Sequence, residues 1–391
     1  MAEPRGRGAL VLGGDYRGLG VVRSLGRRGI PVWVVVDHHR IAAFSRYARR
    51  RVTAPLGGPA DRLAHLLALH RTHDLAGWAL VPTGDEALAF IADHYAALAE
   101  RFLVTSPPWD VLRWAHDKRL TYRLAAEAGV PCPRTDYPRT PEEVAEMPCA
   151  FPALLKPAIR QGASRLVHQK AWIVGDRPAL LAGYETARSL LAAELIMVQE
   201  MIPGGGEAQF SFAALCRDGE PVVSVAARRT RQYPPTIGRS SSYVESVEQP
   251  EVEELGRTIL KRMAVTGLVE VEFKRDPRDG AFKLLDINPR VWGWHTLGQA
   301  QGLDFAYLHW QLVHGLPVPA RRGPPGLRWV RTVTDIPAAA LDLYQGRLSP
   351  RAYFRSLRGP IESAMFAADD PLPGLLEVPL LFALAVRRGA L

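Results

Sequence analysis

The chain has 391 residues, 47% hydrophobic and 23% charged, with a formal net charge of +9, a composition that gives a globular protein ample core and length for two or three domains. The basic excess is scattered in short RR and RRR pieces, so no basic helix or zinc pattern supports nucleic-acid recognition, and an anionic small molecule such as a nucleotide suits the charge better. Cys132, Cys149 and Cys216 form neither a CxxC pair nor a disulfide framework. The start "MAEPRGRGALVLGG" is too short in apolar residues for a signal peptide, and no run reaches the roughly 20 of a spanning helix, so a cytoplasmic protein is expected.

In chain order, "ALVL" at 9–12 reads as a buried strand, "GGDYRGLG" as a glycine-rich turn, "VVRSLGRRG" as a helix and "IPVWVVVD" as a second strand. This is a βαβ unit. Asp37 ends its second strand where the ribose acid of a nicotinamide site would sit. The turn is GGxxxGxG, however, not GxGxxG, so a degenerate Rossmann-like domain with a packing or substrate role is the stronger reading. "WALVPTGDEAL" adds another strand and loop, and the domain runs to residue 105. "SPPWDVLRWAHDKRLTYRLAAEAGVPCP" then predicts a helix opened by Pro108 or Asp110 and stopped by Gly129.

"FPALLKPAI" is a short strand ending in Lys156 and Pro157, and "ELIMVQEMIPGGGEAQFSFAAL" reads strand, loop, strand. "PVVSVAARRTRQY" is a strand running into a basic loop. "EVEELGRTILKRM" places Val252, Leu255, Ile259 and Met263 on one helical stripe. After the linker "HGLPVPARRGPPG", residues 316–391 are expected to form a mostly helical appendage. Its tail "LLEVPLLFALAVRRGAL", interrupted by Glu377 and Pro379, reads as a docked helix, with weak membrane-surface contact left open.

Between these lies "LVEVEFKRDPRDGAFKLLDINPR", residues 268–290. Val269, Val271 and Phe273 alternate with Glu270, Glu272 and Lys274 as in a half-buried strand. "DPRDG" supplies a turn. On the return strand Asp286 and Asn288 are two residues apart, on one face. If the turn centres near Arg278 or Asp279, Glu272 lies opposite Asp286; a one-residue slip would favour Glu270. Carboxylate and amide oxygens on rigid strands suit a hard divalent cation shared with nucleotide phosphates. Arg290 would hold a phosphate oxygen bidentately. The alternative is a solvated edge hairpin with incidental acids.

The ordered series DK…GVP, a strand ending LKP, VQExIPGGGE, ARRTRQ and EVEF…LLDINPR resembles the ATP-grasp superfamily, and more narrowly its predicted ATP-dependent carboxylate–amine ligases. The resemblance covers residues 1 to about 315. It implies an α/β chain built from a Rossmann-like pre-ATP-grasp domain (1–105), an α+β ATP-grasp module (first lobe 106–195, second lobe with the metal site 196–315) and a C-terminal extension (316–391). By that resemblance Lys118 and Lys156 would be the two nucleotide lysines. Glu200 with the backbone of Met201 and Ile202 would face the adenine edge, and Glu207 would take the ribose hydroxyls. Glu272, Asp286 and Asn288 would hold Mg²⁺ or Mn²⁺, two ions being expected. Arg290, Arg229 and Arg231 would be catalytic; strand alternation places Arg229 and Arg231 together with Arg228 opposite. Trp292, Trp294 and His295 stand where relatives bind the acyl substrate, or are core aromatics and a satisfied histidine. The segment after Lys156 has a single glycine and several cations instead of the family's glycine-rich loop, so either Arg160, Arg165, His168 or Lys170 covers the γ-phosphate electrostatically or the loop is short and mobile.

The resemblance implies an ATP-dependent ligase that joins a carboxylate to an amine through an acylphosphate, with small-molecule substrates and no nucleic acid; assembly as a homodimer is left open. The alternatives are a carboxylase activating bicarbonate, a protein that binds ATP without turnover, and an oxidoreductase using the first domain.

Overall fold

The computed structural model describes residues 7–387 apart from 56, 160–165, 167–168, 236–237 and 239. Its first sheet is parallel. The strand β1 (Ala9–Leu12) is wholly buried and lies between β2 (Val32–Val36) and β4 (Ala79–Pro82), with β3 (Ala48–Thr53) and β5 (Leu103–Val104) at the edges. The order β3-β2-β1-β4-β5 reverses between β1 and β4, which opens a crevice at the carboxyl ends of the strands.

The helix after β1 starts at Tyr16, five residues before the expected start, because Asp15 caps it by accepting from the amides of Arg17 and Gly18 at 2.9 and 3.3 Å. Gly18 and Gly20 are therefore helical. A Cβ at Gly18 would lie 2.1 Å from the Gly13 carbonyl oxygen, and one at Gly20 would lie 2.6 Å from the His295 ring. These glycines serve close packing.

A second, antiparallel sheet has the order β6-β9-β7-β8, from β6 (Thr135–Asp136), β7 (Ala153–Pro157), β8 (Trp172–Val174) and β9 (Ile196–Glu200). Before it stand two helices, Trp109–His116 and Lys118–Glu127, where the sequence suggests one. Asp117 makes the break. Its backbone bridges to Ile159, and its carboxylate accepts from the Arg119 amide at 3.0 Å, so a new helix begins at Lys118.

The third sheet runs β14-β13-β10-β11-β12-β16-β17, with β15 added on β11. Its strands are β10 (Gln209–Arg217), β11 (Glu220–Tyr233), β12 (Ser240–Ser246), β13 (Gly267–Arg275), β14 (Phe282–Asn288), β15 (Arg321–Arg322), β16 (Arg328–Val330) and β17 (Glu362–Ser363). Alternation splits β10 between two cores. Phe212 and Ala214 pack with Val252, Ile259 and Met263 of the helix Pro250–Met263, whereas Ala213 and Leu215 join Leu19, Val22, Trp292 and Phe305 on the opposite face. The basic segment expected as a loop is strand throughout β11.

The C-terminal residues are not an appendage. They complete the third sheet through β15–β17 and are fastened to distant parts of the chain by buried ion pairs. Arg23 donates to Asp370 Oδ2 at 2.9 Å and to the carbonyls of Met365 and Asp370 at 2.7 and 2.6 Å; Ser45 Oγ donates to the same carboxylate at 2.7 Å. Arg27 and Tyr47 hold Asp369. The final helix, Leu372–Arg387, follows this anchor. Among the described residues no helix is long and apolar enough to cross a membrane.

Arg231 and Asp335 form a second such pair, bidentate at 2.7 and 2.9 Å, with side chains only 4% and 2% exposed. Removing one partner strands the other charge. Asp335→Ala is therefore expected to lose about 3–5 kcal/mol of unfolding free energy, measured by urea denaturation; a loss under about 1 kcal/mol would mean water reaches the guanidinium.

Candidate active site

Pairing of β13 with β14 sets Glu270 against Asn288 and Glu272 against Asp286, and a register shift beside Glu272 absorbs the extra residue, Leu285. The polar side chains converge. Asn288 Nδ2 donates to Glu272 Oε1 at 2.8 Å and to Glu270 Oε2 at 3.4 Å. Arg229 spans Gln209 Oε1 at 2.7 Å and Glu272 Oε2 at 2.8 Å. Glu270 lies deepest, accepting from Ser211 Oγ at 3.0 Å and Trp294 Nε1 at 2.9 Å. Burial first, and then the charge of Glu272, push its carboxyl up to about 7.

Lys118, at the first position of its helix, reaches across to pair with Asp286, while its amide donates to the Ala158 carbonyl at 2.9 Å. Arg290 donates to Asn288 Oδ1 at 3.1 Å and to Asp85 Oδ1 at 2.5 Å. One short stretch of sheet thus gathers Lys118, Arg229, Glu270, Glu272, Asp286, Asn288 and Arg290.

The other expected nucleotide residues lie nearby on β7, β9 and the following loop. Lys156 Nζ donates to Gln199 Oε1 at 2.8 Å, and Gln199 Nε2 donates to Thr135 Oγ1 at 2.9 Å. The Glu200 carboxylate is engaged by protein donors. It accepts from the Arg134 amide at 2.9 Å, Arg278 at 2.7 Å and Lys283 at 3.3 Å. Burial would raise its pKa, but these bonds outweigh burial and lower it. Met201 is half-buried; the Ile202 carbonyl accepts from Lys274 Nζ at 2.8 Å. Glu207 is exposed and accepts from the Gly205 amide at 2.9 Å. Arg160, Arg165 and His168 lie outside the described residues, and Lys170 has a left-handed φ of 66°.

Residues 193–335 match the family model described as "ATP-grasp in the biosynthetic pathway with Ter operon". The chain is 25% identical over 230 residues to the D-aspartate ligase of Enterococcus faecium (strain Aus0004), a match covering 54% of this chain and 52% of that ligase. It spans about half the length of that relative. Among solved structures, the L-amino acid ligase from Bacillus licheniformis superposes with a TM-score of 0.61 at 15% identity, covering 78% of this chain and 74% of that one. The biotin carboxylase domain of the Hydrogenobacter thermophilus 2-oxoglutarate carboxylase, a dimer in complex with MgADP, ADP and bicarbonate, gives 0.62 at 18% identity, covering 81% and 72%. The chain has the ATP-grasp fold.

Within this ATP-grasp fold, Arg231 does not join Arg229. Between Arg228 and Arg231 the pairing of β11 with β12 slips by one residue, and this bulge turns Arg231 to Asp335 and the Tyr243 ring. Arg228 pairs instead with Glu245 at 3.4 Å. Trp292 and Trp294 are core aromatics rather than walls of an open loop. His295 is 2% exposed; its Nδ1 meets the Trp292 carbonyl at 3.0 Å and its Nε2 has no partner among the described residues. Sequence reading kept Glu270 only as a slipped alternative, though Glu270 and Glu272 two residues apart must share a face. It passed over Asp85, whose signal is its place just beyond the carboxyl end of β4.

Glu272, Asp286 and Asn288 are hard oxygen donors of the kind a magnesium ion takes, and Lys118 and Arg229 already pair with the two carboxylates. They fit a magnesium ion. Among the described residues no three His, Cys, Asp or Glu side chains form a metal site unaided, so phosphate oxygens and water would have to supply the remaining ligands.

Burial lowers the His295 pKa from 6.5 to about 4. Between those values the unfolded chain binds a proton that the folded chain does not, so this contribution to stability falls as pH drops through the window. His295→Gln is expected to flatten the decline of unfolding free energy between pH 6.5 and 4. An unchanged slope would show that the imidazole is hydrated.

Proposed function

We propose that this chain is an ATP-dependent ligase that joins a carboxylate, such as that of an amino acid or peptide, to an amine and releases ADP and phosphate. One observation carries the reading: the acids and amide of the β13–β14 hairpin lie together against Lys118 and Arg229 within an ATP-grasp fold.

A carboxylate does not acylate an amine directly, because its oxygen is too poor a leaving group. Attack of a carboxylate oxygen on the γ-phosphorus of ATP breaks the bond to the bridging oxygen and forms an acylphosphate plus ADP. The amine nitrogen then attacks the carbonyl carbon, phosphate departs with the C–O electron pair, and the nitrogen loses a proton. Neither step needs an enzyme nucleophile, so the work is positioning and charge stabilisation.

Magnesium held by Glu272, Asp286 and Asn288 would supply charge neutralisation on the phosphates. Lys118, Lys156 and Arg290 would hold phosphate oxygens. Arg229 acts through Glu272, because its guanidinium is spread between that carboxylate and Gln209. Met201 and Ile202 would flank the base, and Glu207 would take the ribose.

The test is a screen of carboxylates crossed with amino acids for phosphate and ADP release, followed by mass spectrometry of the product. Asp286→Asn is expected to lower turnover by about 10²-fold or more with the fold retained, and Lys156→Met to weaken ATP binding as well as rate. Wild-type turnover in Asp286→Asn would remove it from the site. Incorporation of labelled bicarbonate would assign a carboxylase, and ATP binding without turnover across the screen would sink the ligase reading.

A further inference from the structure

The C-terminal residues, which fall outside the resemblance seen in the sequence, close one side of a cavity of about 540 Å³. One wall is apolar: Met365 together with Leu380, Leu381 and Leu384 of the helix Leu372–Arg387. The rest of the lining is polar and carries both signs, Arg17, Arg40 and Arg331 with His38 and His39 and the carboxylates of Asp15 and Glu377. Arg17 is tied to Asp15 at 2.5 Å, and Arg331 is tied to Glu377 at 3.1 Å while lying 4.2 Å over the Tyr16 ring. A space of this size, with a leucine-rich stretch and a few placed charges in its lining, is built like a small-molecule site.

Tyr16 lines the cavity, and its hydroxyl lies 2.8 Å from where a Gly293 Cβ would be, three residues beyond Arg290. Tyr16 therefore lies between the cavity and the segment that follows Arg290. The helix that forms the apolar wall is fixed in place by the Asp369 and Asp370 anchors.

We infer that this cavity receives the apolar portion of the carboxylate substrate, an acyl group or amino acid with an aliphatic or aromatic side chain, with its carboxylate directed past Tyr16 toward the segment that follows Arg290. The inference rests on the ligase reading and narrows its substrate class. Glycine-sized or purely polar acids would leave the leucine wall wet and gain nothing from it.

The test measures equilibrium binding of straight-chain carboxylates from acetate to octanoate to the full chain in the presence of Mg·ATP. Each added methylene is expected to tighten binding about three- to fourfold until the cavity fills. Ala383 lines the cavity yet is itself exposed, so Ala383→Trp should fill the space without unfolding the helix. It is expected to weaken octanoate at least tenfold and leave binding of a fluorescent ATP analogue unchanged. If it does not fold, Leu384→Trp makes the same comparison.

Binding independent of chain length overturns the inference. So does octanoate affinity that survives the filling variant, because the ligand would then sit on the outer face of the helix, where Leu375, Val378 and Phe382 are exposed. Chain-length-dependent binding that the variant abolishes, with no ADP release in the substrate screen, supports the cavity and counts against ligation alone.

Discussion

Two glutamates on one face of a strand cannot both be buried as anions unless positive charge and hydrogen-bond donors are brought to them. Glu270 and Glu272 impose that demand, and Asp286 beside them enlarges it. The answer comes from five side chains: Arg229 across the sheet, Lys118 from the start of the helix Lys118–Glu127, Ser211 from the neighbouring strand, Asn288 from the paired strand, and Trp294 from the loop after the hairpin. An uncompensated carboxylate at such depth would cost several kcal/mol or take up a proton. Glu270, held by a hydroxyl, an indole N–H and the Asn288 amide but, among the described residues, by no direct cation, is the one pushed toward neutrality. The cluster is balanced for the charges now present.

That balance explains what the sequence made legible. The alternation of "LVEVEF", the turn "DPRDG" and the spacing of Asp286 and Asn288 are local features, so the hairpin and its register could be read directly. The partner of Asp286 could not be placed by pattern, since Lys118 lies 168 residues away, and only the resemblance set them in one site. Alternation likewise misplaced Arg231. A bulge depends on what the neighbouring strand offers, here Tyr243 and the helix bearing Asp335, and neither is visible in a window around the arginines. The break at Asp117 has the same origin. Its cap could have been suspected from an Asp before a helix, but its bridge to Ile159 comes from tertiary structure.

The C-terminal residues were the least legible for the same reason. Their composition is ordinary, and what fixes them is a set of carboxylates paired with arginines far back in the chain: Asp370 with Arg23, Asp369 with Arg27, and Asp335 with Arg231. These pairs make the ends of the chain one packed unit, so the last helix has a defined place beside the first.

The same packing bears on the dinucleotide reading of the N-terminal sheet. A crevice of about 270 Å³ does lie at the carboxyl ends of its strands, and Asp37 does line it. A dinucleotide, however, needs a helix N-terminus free to receive pyrophosphate. Here Asp15 supplies its own carboxylate to the amides of that terminus and is clamped by Arg17. The glycines that would admit a pyrophosphate are spent on contact with Gly13 and His295. The same crevice wall carries Asp85, whose carboxylate holds Arg290 beside Asn288. The parallel sheet therefore faces the acidic cluster as a wall of its surroundings, and its charged residues already act on that cluster.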